Sequence, residues 1–232
     1  MPVKPKSTTP EPAPAPSPVR ANRSDEGLDL MDWVQVNSRL LAGGAGVIAI
    51  AAAGYWFYVR SQQIKTVNAE RSLMQAEQSL SSGNTALATS DLQRVVTRYK
   101  GTGAGTEAAM LLAQTHYSAG KYQEGIKALQ EVSGKAGGSE AALQTLIGDG
   151  YSQMGKAADA AKAYEKAATA AEFDNERAYY RAKAARSYAS AGNIADARRL
   201  WTDLASDQKA QAVAAEARVR LAELDAKRAG KS

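Results

Sequence analysis

A chain of 232 residues with 29 Lys and Arg against 24 Asp and Glu carries a formal charge of +5 and contains no cysteine. The missing thiols exclude a disulfide framework, a thiolate metal site and a cysteine nucleophile, and the single histidine, His116, excludes a multi-histidine metal centre. Residues 1–39 hold five basic side chains (Lys4, Lys6, Arg20, Arg23, Arg39) and five acidic ones (Glu11, Asp25, Glu26, Asp29, Asp32), so the whole excess lies beyond them. There Lys and Arg are interleaved with Asp and Glu, the pattern of a solvated helical surface and not of a nucleic-acid patch.

All seven prolines fall within the first eighteen residues, which predicts a disordered tail of polyproline II character over residues 1–27. An amphipathic run follows over residues 28–39, with Leu30, Trp33 and Val34 sharing a face with Leu40. It is expected to lie along a membrane surface or to begin the next helix early. Residues 40–59, LLAGGAGVIAIAAAGYWFYV, are twenty residues without a charge, bounded by Arg39 and Arg60. At about 1.5 Å per helical residue this length crosses the ~30 Å hydrocarbon core of a bilayer. Tyr55, Trp56, Phe57 and Tyr58 crowd one end, where amphipathic rings favour the headgroup boundary. A buried helix of a soluble domain is rarely this long or flanked by arginines. A cleaved signal would stand at the extreme N-terminus and end in small residues, not in four aromatics. The segment therefore reads as an uncleaved transmembrane signal anchor over residues 40–59, with the lipid bilayer as its first partner. Ala42, Gly46, Ile50 and Gly54 recur every fourth position, a spacing that lets two helices approach closely in lipid and makes self-association a candidate property. The plain alternative is that Ala and Gly are common throughout this chain.

No proline occurs beyond Arg60 and no glycine between Gly54 and Gly83, so the spanning helix is expected to continue into the first helix of a domain over residues 60–228. Within that domain the chain repeats. Gly83, Gly120, Gly155 and Gly192 stand 37, 35 and 37 residues apart, each followed by Asn or Lys. Seven residues before them are Ala76, Ala113, Gly148 and Ala185, where two helices must come close. Five residues after are Ala88, Gly125, Ala160 and Ala197, and nine after are Leu92, Leu129, Tyr164 and Trp201. The turn glycine supplies the left-handed conformation that ends the first helix of each pair. Gly101, Gly103 and Gly105, then Gly134, Gly137 and Gly138, are expected to fill the turns between pairs. A last helix from about Asp207 to Arg228, with Ala214, Ala217, Leu221 and Leu224 on one side, caps the stack, and residues 229–232 form a tail.

Small, glycine, small and aromatic at this spacing resemble the tetratricopeptide repeat (TPR), a helix–turn–helix unit of about 34 residues. The unit with Gly148, Tyr151, Gly155, Ala160 and Tyr164 matches best, and the first unit is degenerate. The fold class expected is thus all-α: a transmembrane helix, then a TPR-like solenoid of about four helix pairs plus cap. One anchor ending in GYWFY, a degenerate pair and then AAMLLAQTHYSAGKYQEG resemble the YfgM-like family of single-anchor bacterial proteins. That resemblance implies a periplasmic repeat domain at the inner membrane, with partners among the Sec translocon, exported chains and periplasmic chaperones. It also decides topology, since Arg20, Arg23 and Arg39 before the span balance Arg60, Lys65 and Arg71 after it.

No catalytic, metal or cofactor constellation stands out. The clusters GTGAGT and GKAGG lack the Gly-Lys-Ser/Thr ending of a phosphate loop, and no second histidine is available to activate a serine. What remains is a surface. Outward positions of the first helix of each pair offer Glu107, Met110, Gln114 and Tyr117, then Ala142, Thr145, Asp149 and Ser152, then Tyr179, Ala182, Arg186 and Ala189. A groove with Tyr117, Asp149, Tyr179 and Arg186 suits a peptide or helix held by its side chains. Function is expected to be that of a non-catalytic scaffold or adaptor assisting protein export, with a permanent structural subunit of a larger membrane complex as the alternative.

Overall fold

The computed structural model describes residues 33–229. The predicted tail over 1–27, the start of the amphipathic run and residues 230–232 lie outside the described residues. The chain divides into two compact units, Met1–Phe57 and Tyr58–Ser232. In the first, Trp33 to Val36 make one helical turn that Asn37 closes, its amide donating to the Trp33 carbonyl at 2.9 Å. Helix α1 then begins and spans Ser38–Ser81. It is the one helix among the described residues long and apolar enough to cross a bilayer, and none of its apolar window is buried. Ala42, Gly46, Ile50 and Gly54 are all exposed on it, and a Cβ added at Gly46 or Gly54 would meet nothing within 4 Å.

In the second unit the far part of α1 is followed by α2 (Thr85–Arg98), α3 (Gly103–Ser118), α4 (Tyr122–Val132), α5 (Glu140–Gln153), α6 (Ala157–Ala170), α7 (Asp174–Ser190), α8 (Ile194–Ser206) and α9 (Gln211–Ala229). From α2 onward each helix packs on the next, α1 shares a core cluster with α2, and no strand occurs among the described residues. The result is an all-helical TPR-like solenoid. Odd-numbered helices are the first member (A) and even-numbered helices the second (B) of each pair, and α9 closes the stack. The four turn glycines all have positive φ, from 70° at Gly155 to 77° at Gly83. The residue after each glycine sets how the B helix starts. Asn84 and Asn193 cap α2 and α8 by accepting from the amides of Leu87 and Asp196, whereas Lys121 and Lys156 give α4 and α6 no side-chain cap.

The inter-pair turns differ from the glycine-based expectation in one place. Gly103 and Gly105 belong to the first turn of α3, because Thr102 caps it by accepting from the Gly105 amide at 3.1 Å. Gly105 is also needed there for space, since a Cβ would run into the Tyr99 carbonyl. The glycine-rich loop before α5 is closed by Glu140. Its carboxylate accepts from the Ser133 hydroxyl at 2.8 Å, the Gly134 amide at 2.9 Å and the buried Gln144 amide at 2.7 Å. Burial pushes the Glu140 carboxyl up, but these donors outweigh it and leave it below the usual range.

The core is rich in alanine and runs through the stack in two clusters, with Tyr151 packed against both. One joins Ala69, Leu73 and Ala76 of α1 to Leu92, Val95 and Val96 of α2 and onward to Ile147. The other surrounds Trp201 and reaches Ala217 and Leu224 of α9, which packs over the last pair. Trp201 is 1% exposed and the largest fully buried side chain. Replacing it, Trp201→Ala, is expected to cost about 3–5 kcal/mol in urea unfolding, the range for emptying a large buried aromatic site.

Candidate protein-binding groove

The A helices α3, α5, α7 and α9 are joined along one face by polar side chains. The Tyr117 hydroxyl at the end of α3 donates to the Leu146 carbonyl of α5 at 3.0 Å. Lys183 of α7 donates to Asp149 of α5 at 2.7 Å, and the same carboxylate oxygen accepts from the Tyr164 hydroxyl of α6 at 2.6 Å. Arg186 of α7 makes a two-pronged contact with Glu216 of α9 at 2.8 and 2.5 Å. The Lys183 ammonium also lies 4.6 Å from the Tyr164 ring centroid and 5.9 Å from that of Tyr179. Asp149, Tyr164, Tyr179 and Lys183 therefore form one connected group, with Arg186 one turn further along α7.

Gly148 and Gly150, on either side of Asp149, explain how two tyrosines reach this place. A Cβ at Gly148 would meet the Tyr164 ring, and one at Gly150 would meet the Tyr117 hydroxyl. Gly125 of α4 in turn leaves room for the Tyr117 ring. Burial first, and Asp149 second, hold the Tyr117 and Tyr164 phenols well above their ordinary range, so both remain hydrogen-bond donors at any physiological pH. On α9 the Arg186 hydrogen bond pulls the Glu216 carboxyl below its usual value, and Arg186 is raised in return.

The sequence-derived positions are distributed unevenly along this face. Glu107, Gln114, Tyr179 and Arg186 are exposed, whereas Met110, Tyr117, Thr145 and Asp149 are half-buried. Thr145 spends its hydroxyl on the Ala141 carbonyl at 2.8 Å, and Met110 packs against the core. Ala182 corrects the outward register assumed for α7, because it is fully buried. The outward row there is exposed Tyr179, half-buried Lys183 and exposed Arg186, since Ala178, Ala182 and Ala185 turn inward against the core. Lys183, Tyr164 and Glu216 are the polar members that sequence reasoning missed. The available signal was that Lys183 stands four residues after Tyr179, on the same helical face.

His116, at the aromatic position of its repeat, is half-buried, and burial lowers its pKa below the ordinary imidazole value. Among the described residues no group of three or more His, Asp and Glu side chains could hold a metal ion.

A tetratricopeptide repeat-like domain model matches residues 31–147, just over half of the 232 residues. The chain belongs to the tetratricopeptide repeat-like domain family. The TPR-like fold also appears in the similarity to a crystal structure of nearly identical TPR-like repeats from Podosopora anserina. The two share 17% identity at a TM-score of 0.50, over 69% of this chain and 88% of that one, and a point variant of the same protein gives the same values. No curated protein matches the chain. TPR-like domains are in general scaffolds for contacts with other proteins, and on the A-helix face Glu107, Gln114, Tyr179 and Arg186 are exposed.

Two outcomes test the geometry. In a double-mutant cycle, Asp149→Asn and Lys183→Met should show a coupling of about 0.5–1 kcal/mol, the scale of a partly exposed pair. The depressed Glu216 carboxyl contributes stability above its unfolded value of 4.5, and that contribution is lost as pH falls through the lower folded value. Arg186→Gln should therefore flatten the dependence of the urea midpoint on pH below about 5, while leaving it unchanged near neutrality.

Proposed function

We propose that the chain is a single-pass inner-membrane protein of bacteria whose TPR-like domain lies in the periplasm and acts as a non-catalytic adaptor. Its working surface is the A-helix face, and its partners are the export translocon, chains emerging from it or periplasmic chaperones. The observation that carries this reading is the pairing of two features in one chain. One is an apolar stretch of α1 that nothing buries, and the other is a TPR-like stack with Tyr179 half-exposed on the same helix as Lys183 and Arg186. The match to the family model supports it as well, because residues 31–147 take in the apolar stretch together with the first repeats.

A peptide crossing this face would meet aromatic surface at Tyr117 and Tyr179, the carboxylate of Glu107 and the guanidinium of Arg186. That mixture favours recognition by side chains over capture of a terminal carboxylate. The polar rungs between A helices hold the rings in fixed positions, so little ordering is required of the domain when a partner binds.

Topology and partner can be tested together. Because the chain has no cysteine, Ser118→Cys gives a unique thiol that should react with an impermeant maleimide in intact spheroplasts; protection until lysis would place the domain in the cytoplasm. A photoreactive residue at Tyr179 should then crosslink translocon subunits or a range of exported chains from native membranes. A single membrane protein recovered at fixed stoichiometry would instead establish a permanent structural subunit.

A further inference from the structure

The first helix pair of the repeat domain gathers basic side chains at one end. Lys65 of α1 donates to the carbonyl of Lys100, just past α2, at 3.4 Å. This contact sets Lys65 beside the end of α2, whose last turn carries Arg98, with Arg60 less than two turns earlier on α1. From Arg60 to Arg71 and from Asp91 to Lys100 the only acidic residues are Glu70 and Asp91. Asp91 pairs with Arg94 at 3.1 Å, and Lys100 pairs with Glu131 of α4 at 3.1 Å. Arg60, Lys65 and Arg98 have no ion pair among the described residues, and Arg98 is held 5.7 Å from the Tyr99 ring centroid. Arg94 and Lys100 are thus neutralised within the fold, and the charges left over at this pair end are those of Arg60, Lys65 and Arg98.

Its place in the chain gives this concentration a use. Val59 ends the apolar stretch, and Lys65 follows six residues later on the same helix, a rise of about 9 Å. That distance is close to the Debye length of about 8 Å at physiological ionic strength, so a charge at this height still feels a charged bilayer surface. We propose that Arg60, Lys65 and Arg98 form a docking surface for the phosphate groups of anionic lipids, seating the repeat domain against the bilayer. The inference rests on the membrane reading given above. Its recognition is electrostatic, like that of other basic segments beside a membrane anchor. Seating would fix the height of the domain above the membrane, and with it the height at which the A-helix face meets a partner.

The test uses the full chain with Thr97→Cys, a unique labelling site on the exposed side of α2 beside Arg98. The labelled protein is reconstituted into vesicles of phosphatidylcholine alone or with added phosphatidylglycerol, each containing a headgroup quencher. We expect flotation with both vesicles but stronger quenching in the anionic ones, reversed by high salt. Lys65→Gln with Arg98→Gln should abolish the difference, each lost charge lowering the ratio of docked to undocked domain about fivefold. The charge-preserving pair Lys65→Arg with Arg98→Lys should retain it, which separates lost charge from a disturbed fold. Flotation with equal quenching in both vesicles would overturn the docking surface and leave the anchor standing. Failure to float with either would overturn the anchor and the docking surface together.

Discussion

The repeat domain depends on close approach between helices at positions where a side chain is missing or minimal. Gly125, Gly148 and Gly150 leave the space into which the rings of Tyr117 and Tyr164 fit, and Ala76, Ala113 and Ala185 are fully buried at the equivalent crossings of the other pairs. An alanine removes little apolar area from water, so a core rich in alanine must rely on dense contact to gain the dispersion energy that larger side chains would supply. The large residues are then few and central. Leu92, Leu129, Tyr164 and Trp201, one per pair, each fill the gap beyond the turn and are almost completely buried. Stability is correspondingly spread over successive interfaces, as in other repeat proteins, and a fault at one crossing acts on its neighbours.

Close crossings also decide where polar groups can go. With the inner faces filled by alanine and rings, charged side chains are left to the edges where one A helix meets the next. There Asp149 with Lys183, and Arg186 with Glu216, link α5 to α7 and α7 to α9. Pairs this exposed contribute little net stability, typically up to about 1 kcal/mol each. Their effect is geometric: they hold the relative register of helices whose alanine surfaces would tolerate small slips. A face that keeps its aromatic rings in fixed positions binds with less loss of side-chain freedom than a loose one.

The repeat was legible in the sequence because its signals are tied to backbone conformation. A glycine with positive φ every 35 to 37 residues, with small residues at fixed distances, leaves few alternatives to a stack of helix pairs. The surface was less legible. Counting from the turn glycine gives a face only to within one residue, about 100° of rotation, and on α7 that step separates fully buried Ala182 from Lys183, which lies over the Tyr164 ring. The start of α3 was misplaced for a related reason. Three glycines in GTGAGT suggest a loop, yet Gly105 is small because the Tyr99 carbonyl presses on it, a tertiary constraint invisible in local composition. Glu140 likewise gave no sequence signal, since its role depends on the loop that its own hydrogen bonds close.

The degenerate first repeat has a physical cause in the same architecture. Four residues before each turn glycine stand Ser79, His116, Tyr151 and Tyr188. The two tyrosines reach back to the B helix of the preceding pair. The Tyr151 hydroxyl accepts from Gln130 of α4 at 3.4 Å, and the Tyr188 hydroxyl donates to Glu165 of α6 at 2.7 Å. Burial, then that hydrogen bond, push the Tyr188 phenol up to about 12, so its proton stays available for the contact. Among the described residues no B helix precedes the first pair of the stack. An aromatic residue at position 79 would find no partner behind it, and Ser79 instead returns its hydroxyl to the Gln75 carbonyl at 3.2 Å. Loss of the aromatic is thus what a terminal repeat requires, and it identifies the helix that emerges from the apolar stretch as the first member of the stack.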